Sequence, residues 1–310
     1  MEPDRTSLRL GIDLGGTKME AIALDLEGRE LGRIRVPTPQ GDYEGTLREL
    51  VALVTGLESR LGQHGTVGIG IPGAILPGSG VMKNGNSRHL VGKPLGADLE
   101  RMLARPVRMG NDADCFCISE AVDGAAAGAK TVFGVILGTG CGGGWVVNGQ
   151  PWQGPNAVAG EWGHVTLPWM TPEEFPGHAC YCGHRGCVES WLSGTALARH
   201  FNETHGTDWD ARRIAAAAAQ GEARAEAFMG RYETRLARAL AGIINTLDPE
   251  VIVLGGGVSQ VERLYTQVPT LWERWIFGNH ATTRLVKNRH GDSSGVRGAA
   301  WLWPLEGRTP

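Results

Sequence analysis

The chain has 310 residues, 42% of them apolar and 20% charged, with a formal net charge of −3. This length exceeds the usual size of one hydrophobic core, so two domains are expected, burying roughly 75% of the surface an unfolded chain exposes. The weak negative charge offers no field for nucleic acid or an anionic membrane, and no apolar run approaches the ~20 residues that span a bilayer; a cytoplasmic protein with neither partner is expected.

Leu8 to Asp25 reads as a strand, "LRLGID", a bend, "LGGTK", and a second strand, "MEAIALD", which together predict a β-hairpin. Glycines at 15 and 16 let backbone N–H groups approach an anion, Thr17 and Lys18 can donate to phosphate oxygens, and Asp13 can hold a magnesium ion through water. The segment is not a Walker A loop, because Thr precedes Lys and a strand follows. Taken alone, it reads more readily as a plain hairpin bend.

Apolar residues at 47, 50, 51, 54, 57 and 61 have helical spacing, and the strand-like "TVGIGIPG" follows. "NDAD", 111 to 114, opens a predicted helix with Asn111 or Asp112 near its N-cap. Phosphoryl transfer to an alcohol requires positioning, a metal to spread charge and an acceptor for the hydroxyl proton. Asp112 is the candidate acceptor and Asn111 the candidate orienting group; the alternative is a helix cap and nothing more.

"FGVILGTGCGGGWVVN", Phe133 to Asn148, matches "LGIDLGGTKMEAIALD", Leu10 to Asp25, without a gap. Two copies of strand, glycine bend and strand predict a duplicated α/β architecture around a cleft. The second bend, Gly138, Thr139 and Gly140, would grip the other end of a polyphosphate. A third glycine turn, Gly255, Gly256 and Gly257, follows the apolar run Val251 to Leu254 and suits close approach of an adenosine face. Before it, Leu236, Leu240, Ile243, Ile244 and Leu247 form one face of a predicted helix.

Cys180, Cys182 and Cys187 lie within eight residues, in a chain with six cysteines. A disulfide across the one-residue spacer would be strained and would leave an odd thiol. Three thiolates with His164, sixteen residues upstream, match tetrahedral structural zinc better than redox chemistry. Glu161 and Glu189 flank this cluster and could accept from sugar hydroxyls. Cys115 and Cys117 are expected to pack in the core.

These motifs, in this order, resemble the ROK family (repressor, open reading frame, kinase) over nearly the whole chain, and the "CxCGxxGCxE" pattern is highly specific. The resemblance implies the actin-like, hexokinase-like or RNase H-like ATPase fold, ATP, Mg2+ and structural Zn2+ as cofactors, a hexose as substrate, and a homodimer. By similarity Asp112 is the general base, and Asn86, Asn111, Glu161, His164 and Glu189 contact the sugar or its loop. His164 and the three cysteines bind the metal. The final helix of the family rejoins the small domain, so a discontinuous first domain, 1–114 plus 292–310, and a second, 115–291, are expected. "KNGNSRHLVGKPL", "SEAVDGAAAGAKTVF" and "HGDSSGVRGAAWLWP" look most like bacterial fructokinases that also accept mannose, called manno(fructo)kinases; N-acetylglucosamine kinase and glucokinase are the alternatives. Family members that repress transcription carry an N-terminal helix-turn-helix; with the hairpin starting at residue 8, such a sugar-responsive regulator is the disfavoured expectation.

Overall fold

The computed structural model describes residues 8–83 and 87–304. The first half builds β1 (Leu8–Leu14), β2 (Lys18–Leu24), β3 (Glu30–Pro37), α1 (Tyr43–Leu61), β4 (Gly65–Ile71), the short strands β5 (Ala74–Ile75) and β6 (Met82–Lys83), α2 (Leu95–Leu103), β7 (Val107–Asn111) and α3 (Asp112–Val122). The second half builds β8 (Thr131–Leu137), β9 (Cys141–Val147), β10 (Gln150–Pro151), α4 (Val188–Leu192), α5 (Gly194–His205), α6 (Ala211–Ala219) and α7 (Ala223–Leu247). It ends with β11 (Val251–Gly255), α8 (Leu264–Trp272), β12 (Arg284–Lys287) and α9 (Ser294–Ala300).

Two five-stranded sheets result, ordered β3-β2-β1-β4-β7 and β10-β9-β8-β11-β12. Each has an antiparallel meander of three strands followed by two strands parallel to the first. The duplication expected from the two hairpins is therefore a duplication of whole sheets. Its detail differs from the gap-free match: Leu14 pairs with Met19 across four turn residues, whereas Leu137 pairs with Cys141 across three. The second strands of the two copies are thus one residue out of step, and since a one-residue slip exchanges the faces of a strand, only the first strands superimpose residue by residue.

Helix α1 shows how the local pattern becomes packing. Asp42 caps it by accepting from Gly45 N, Gly62 ends it at φ 66°, and its buried face carries Leu47, Leu50, Leu53, Val54 and Leu57. Those side chains cover the first sheet's inner face in one core, while α7 buries Leu236, Leu240 and Ile244 in the core of the second. A third apolar cluster joins the halves, uniting Ile22 and Leu24 with α3 residues, Val132, Val251 and the α9 residues Val296, Ala299 and Ala300. Cys115 and Cys117 lie in it, fully buried, as expected.

Helices α3 and α9 pack against each other, and α9 also rests on β1, β2 and β4. The approach is too close for side chains: a Cβ on Gly298 would stand 1.6 Å from the carbonyl oxygen of Cys115, and one on Gly68 1.9 Å from that of Ala299. Polar bonds hold the same junction. Buried Glu120 accepts from the backbone N–H groups of Ala125, Arg289 and His290 and from Ser294 Oγ, and Asp123 pairs with Arg297 and His290. A carboxylate taking four such bonds is satisfied despite complete burial. Among the described residues, no helix is long and apolar enough to cross a membrane.

Candidate active site

The site begins where β7 meets α3. Asn111 has extended backbone dihedrals, φ −62° and ψ 152°, and caps the helix: its Oδ1 accepts from Ala113 N at 2.8 Å. The same side chain donates from Nδ2 to Gly73 O at 2.9 Å, tying the cap to the loop after β4. The cap reading of "NDAD" therefore holds, and the cap also fixes the direction in which Asn111 and Asp112 leave the strand. Asp112 follows, with Oδ1 accepting from Ala113 N at 2.8 Å. Its side chain is reachable by solvent because the cleft is open, yet protein surrounds it on most sides. Desolvation lifts its pKa above the ordinary carboxylate value, Glu161 adds to the rise, and the Ala113 N–H opposes it. A carboxylate made reluctant to stay charged is a better proton acceptor.

One cleft brings together Asn111, Asp112, the β8–β9 turn of Gly138, Thr139 and Gly140, and Glu161, His164, Tyr181 and Glu189. Glu161 and His164 belong to a tight 3₁₀ turn, Trp162–His164 and its preceding residue. Glu189 stands in the first turn of α4, where its Oε2 accepts from Cys141 N at 2.9 Å and so fastens the glycine turn to the wall of the cleft. Tyr181, which sequence reasoning passed over, holds its hydroxyl 2.9 Å from His164 Nε2. Nothing in its spacing marks it; only the fold of the cysteine loop brings it there.

The other expected phosphate-turn residues do not line this cleft. Gly16, Thr17 and Lys18 are exposed on the first hairpin, whose turn is braced by Thr38 Oγ1 donating to Gly15 O and by Gln40 Nε2 donating to Gly16 O. Asp13 lies close enough to feel Asp112: desolvation first, then Asp112 and Glu20, push its pKa up to about 6, against Lys18. Gly256 backs the second turn, since a Cβ there would stand 2.5 Å from Leu137 O, and its φ of 78° favours glycine. Positions for a Cβ at Gly138 and Gly257 meet nothing within 4 Å, leaving the open backbone that a phosphate or nucleoside can approach. Asn86 lies outside the described residues.

His164, Cys180, Cys182 and Cys187 place their donor atoms within 4.8 Å of one another. The Cys180 Sγ to His164 Nδ1 and Cys182 Sγ to Cys187 Sγ distances are both 3.6 Å. Tetrahedral zinc with ordinary bond lengths demands about 3.6 Å between N and S and about 3.8 Å between sulfurs, so the donor set fits that ion. A disulfide between Cys182 and Cys187 would need its sulfurs at about 2.05 Å. All six cysteines are free. With Nδ1 turned to the thiolates, His164 presents Nε2 to the cleft, so one ring joins the cysteine cluster to the pocket.

Comparison with known proteins shows which family shares this fold. The chain is 39% identical over 296 residues to an N-acetyl-D-glucosamine kinase of Pectobacterium atrosepticum, covering 94% of this chain and 97% of that one. Among solved structures it is similar to the ROK hexokinase of Thermus thermophilus, with TM-score 0.83, 30% identity and coverage of 95% and 97%. It is also similar to the ROK family glucokinase of Streptomyces griseus, solved with glucose and AMPPNP, with TM-score 0.73, 29% identity and coverage of 94% and 98%. The duplicated sheets are those of the actin-like ATPase fold. The family model for "ROK family" matches residues 9–306, and the chain belongs to that family.

Proposed function

We propose that this protein is an ATP-dependent hexose kinase that transfers the γ-phosphoryl group to a sugar hydroxyl, with Asp112 as general base. The observation that carries the proposal is that Asp112, its pKa raised by burial, shares one cleft with the open glycine turn 138–140 and with Asn111, Glu161, His164 and Glu189. The sugar lies between Asn111, Glu161, His164 and Glu189, whose acceptors and donors match a ring of hydroxyls and orient one of them toward Asp112. Asp112 takes the hydroxyl proton as the oxygen attacks phosphorus; the glycine turns seat the phosphates with backbone N–H groups. Asp13 would hold Mg2+, which would supply the positive charge that spreads the charge of the phosphates. His164, Cys180, Cys182 and Cys187 would hold Zn2+, which would stiffen the loop that carries Tyr181 and leads into Glu189.

For the acceptor, the relatives over the full chain length favour N-acetylglucosamine. Fructose, with mannose, is the second reading, supported by the resemblance of 83–95, 119–133 and 290–304 to manno(fructo)kinases. The structure bears on that support: Glu120, Asp123, His290, Ser294 and Arg297 of the last two segments form the α3–α9 junction rather than the sugar pocket. A coupled ADP-release assay over N-acetylglucosamine, fructose, mannose and glucose tests both. Sugar-dependent ADP release with at least one of them is expected; no release with any overturns the kinase reading.

A further inference from the structure

Asp114 has no part in the transfer step. It sits on α3, only 6% exposed, and among the described residues its carboxyl group has no hydrogen-bond partner. A carboxyl group this enclosed and without a protein partner is costly unless solvent or a ligand reaches it, and the oxygens of Asp114 are not sealed off. Its neighbours give the reason. Asp114 lines a small recess that shares Asn111, Gly143 and Glu161 with the acceptor cleft, while Asp112 lines only the cleft. The recess is thus a side chamber of the sugar site, away from the reacting hydroxyl. Its remaining wall is mixed, with Ile75, Met109 and Ala157 set against Gln153 and the carboxyl group.

We infer that Asp114 is an acceptor-selecting residue, hydrogen-bonding from this chamber to a donor substituent of the bound sugar other than the hydroxyl that is phosphorylated. The inference rests on the hexose kinase reading and names a contact within it. A ring hydroxyl and an acetamido N–H offer the same donor, and the methyl of the second would meet the aliphatic part of the wall. Burial, Asp112 and Glu161 together raise the Asp114 pKa to about 7, so near neutrality the group can accept a hydrogen bond as a carboxylate or exchange one as an acid. A site built around such a bond discriminates strongly against an analogue lacking the donor.

The test compares wild type, Asp114→Asn and Asp114→Leu in steady-state kinetics with N-acetylglucosamine, glucose, fructose and mannose, and with glucose analogues lacking one hydroxyl each. The expected result is a rise of about tenfold or more in sugar KM for Asp114→Leu, a smaller rise for Asp114→Asn, and an effect falling on KM rather than on kcat or ATP KM. One deoxy analogue should be penalised in wild type and no longer penalised in Asp114→Leu. A sugar KM within about twofold of wild type for both variants, or a rise of equal size for every analogue, overturns the assignment. Should Asp114→Leu fail to fold, Asp114→Asn decides on the same criteria. Calorimetric titration with each sugar separates this inference from the kinase reading: weaker sugar binding by the variants supports Asp114 even if no phosphoryl transfer is found, whereas transfer by wild type with unaltered variants overturns Asp114 alone.

Discussion

The two glycine hairpins share a chain trace, and they differ in what that trace carries. In the first copy Asp13 precedes the turn and Lys18 closes it; in the second, Ile136 stands at the place of Asp13, and the turn is one residue shorter, ending on Gly140 before Cys141. The first turn is exposed and braced by Thr38 and Gln40 from the chain after β3. Behind the second stand Glu189, Gly256 and the N–H of Gly194, which donates to Gly138 O at 2.7 Å. In the proposed function this duplicated backbone would provide two seats for phosphate oxygens, one charged and one neutral. Divergence has put Lys18 and the carboxylate of Asp13 on one copy and the bond from Cys141 N to Glu189 on the other.

Asp112, facing both copies, gives the largest expected effect. Asp112→Asn should lower kcat by about 10²–10⁴-fold while zinc content and melting temperature stay near those of wild type. Near-normal turnover would remove the base and with it the geometry the two turns are said to serve. Because the Asp112 pKa is raised, its charged form is lost as pH falls through a value above the ordinary carboxylate range. The acid limb of kcat/KM should lie there, and Asp112→Asn should abolish it.

Asp13→Asn should reduce kcat about 10–100-fold and raise the Mg2+ concentration needed for half-maximal rate, the range seen when a carboxylate supporting a metal is neutralised. Gly138→Ala, at the matching point of the second turn, meets open space and should act on ATP KM with little change in kcat. Equal kinetic signatures from the two variants would break the proposed division between a charged copy and a neutral one.

Cys187→Ser should release the metal, read by elemental analysis of purified protein, and raise sugar KM by about tenfold with a smaller change in ATP KM. Absence of zinc from wild type would end the metal assignment. The smallest effect belongs far from both turns: Ser294→Ala removes one of the four bonds to Glu120 and should destabilise the chain by about 1–3 kcal/mol in denaturant titration, leaving sugar specificity unchanged. A change in sugar preference would instead place the α3–α9 junction in acceptor selection.

Much of this site was legible because its parts are local. "LGTGCGGG" and the cysteine loop each need a backbone shape or a ligand spacing contained within a few residues. Asn111 shows the same rule, since a helix cap is written in its own sequence neighbours. The cleft residues Glu161 and Glu189 were found only through their closeness to the cysteine cluster. Asp114 was invisible as a group with a separate role, because the helix start that contains it explains it fully until the fold closes a chamber over its side chain. Tyr181 escaped for a similar reason, as its bond to His164 depends on how the loop folds over the 3₁₀ turn.

From its sequence alone the chain determined its α/β class, its two hairpins, its long helices and the identities of its thiolate and carboxylate groups, because hydrophobic period, glycine turns and ligand spacing act over short stretches. Tertiary structure decided which of these groups meet. The one-residue difference between the hairpins is set by strand pairing. The union of Glu120 with Ser294 spans 174 positions, and the chamber around Asp114 is walled by residues from β5, β7 and the loop after β10. Such contacts depend on how separately written elements pack in three dimensions, and no local pattern records that.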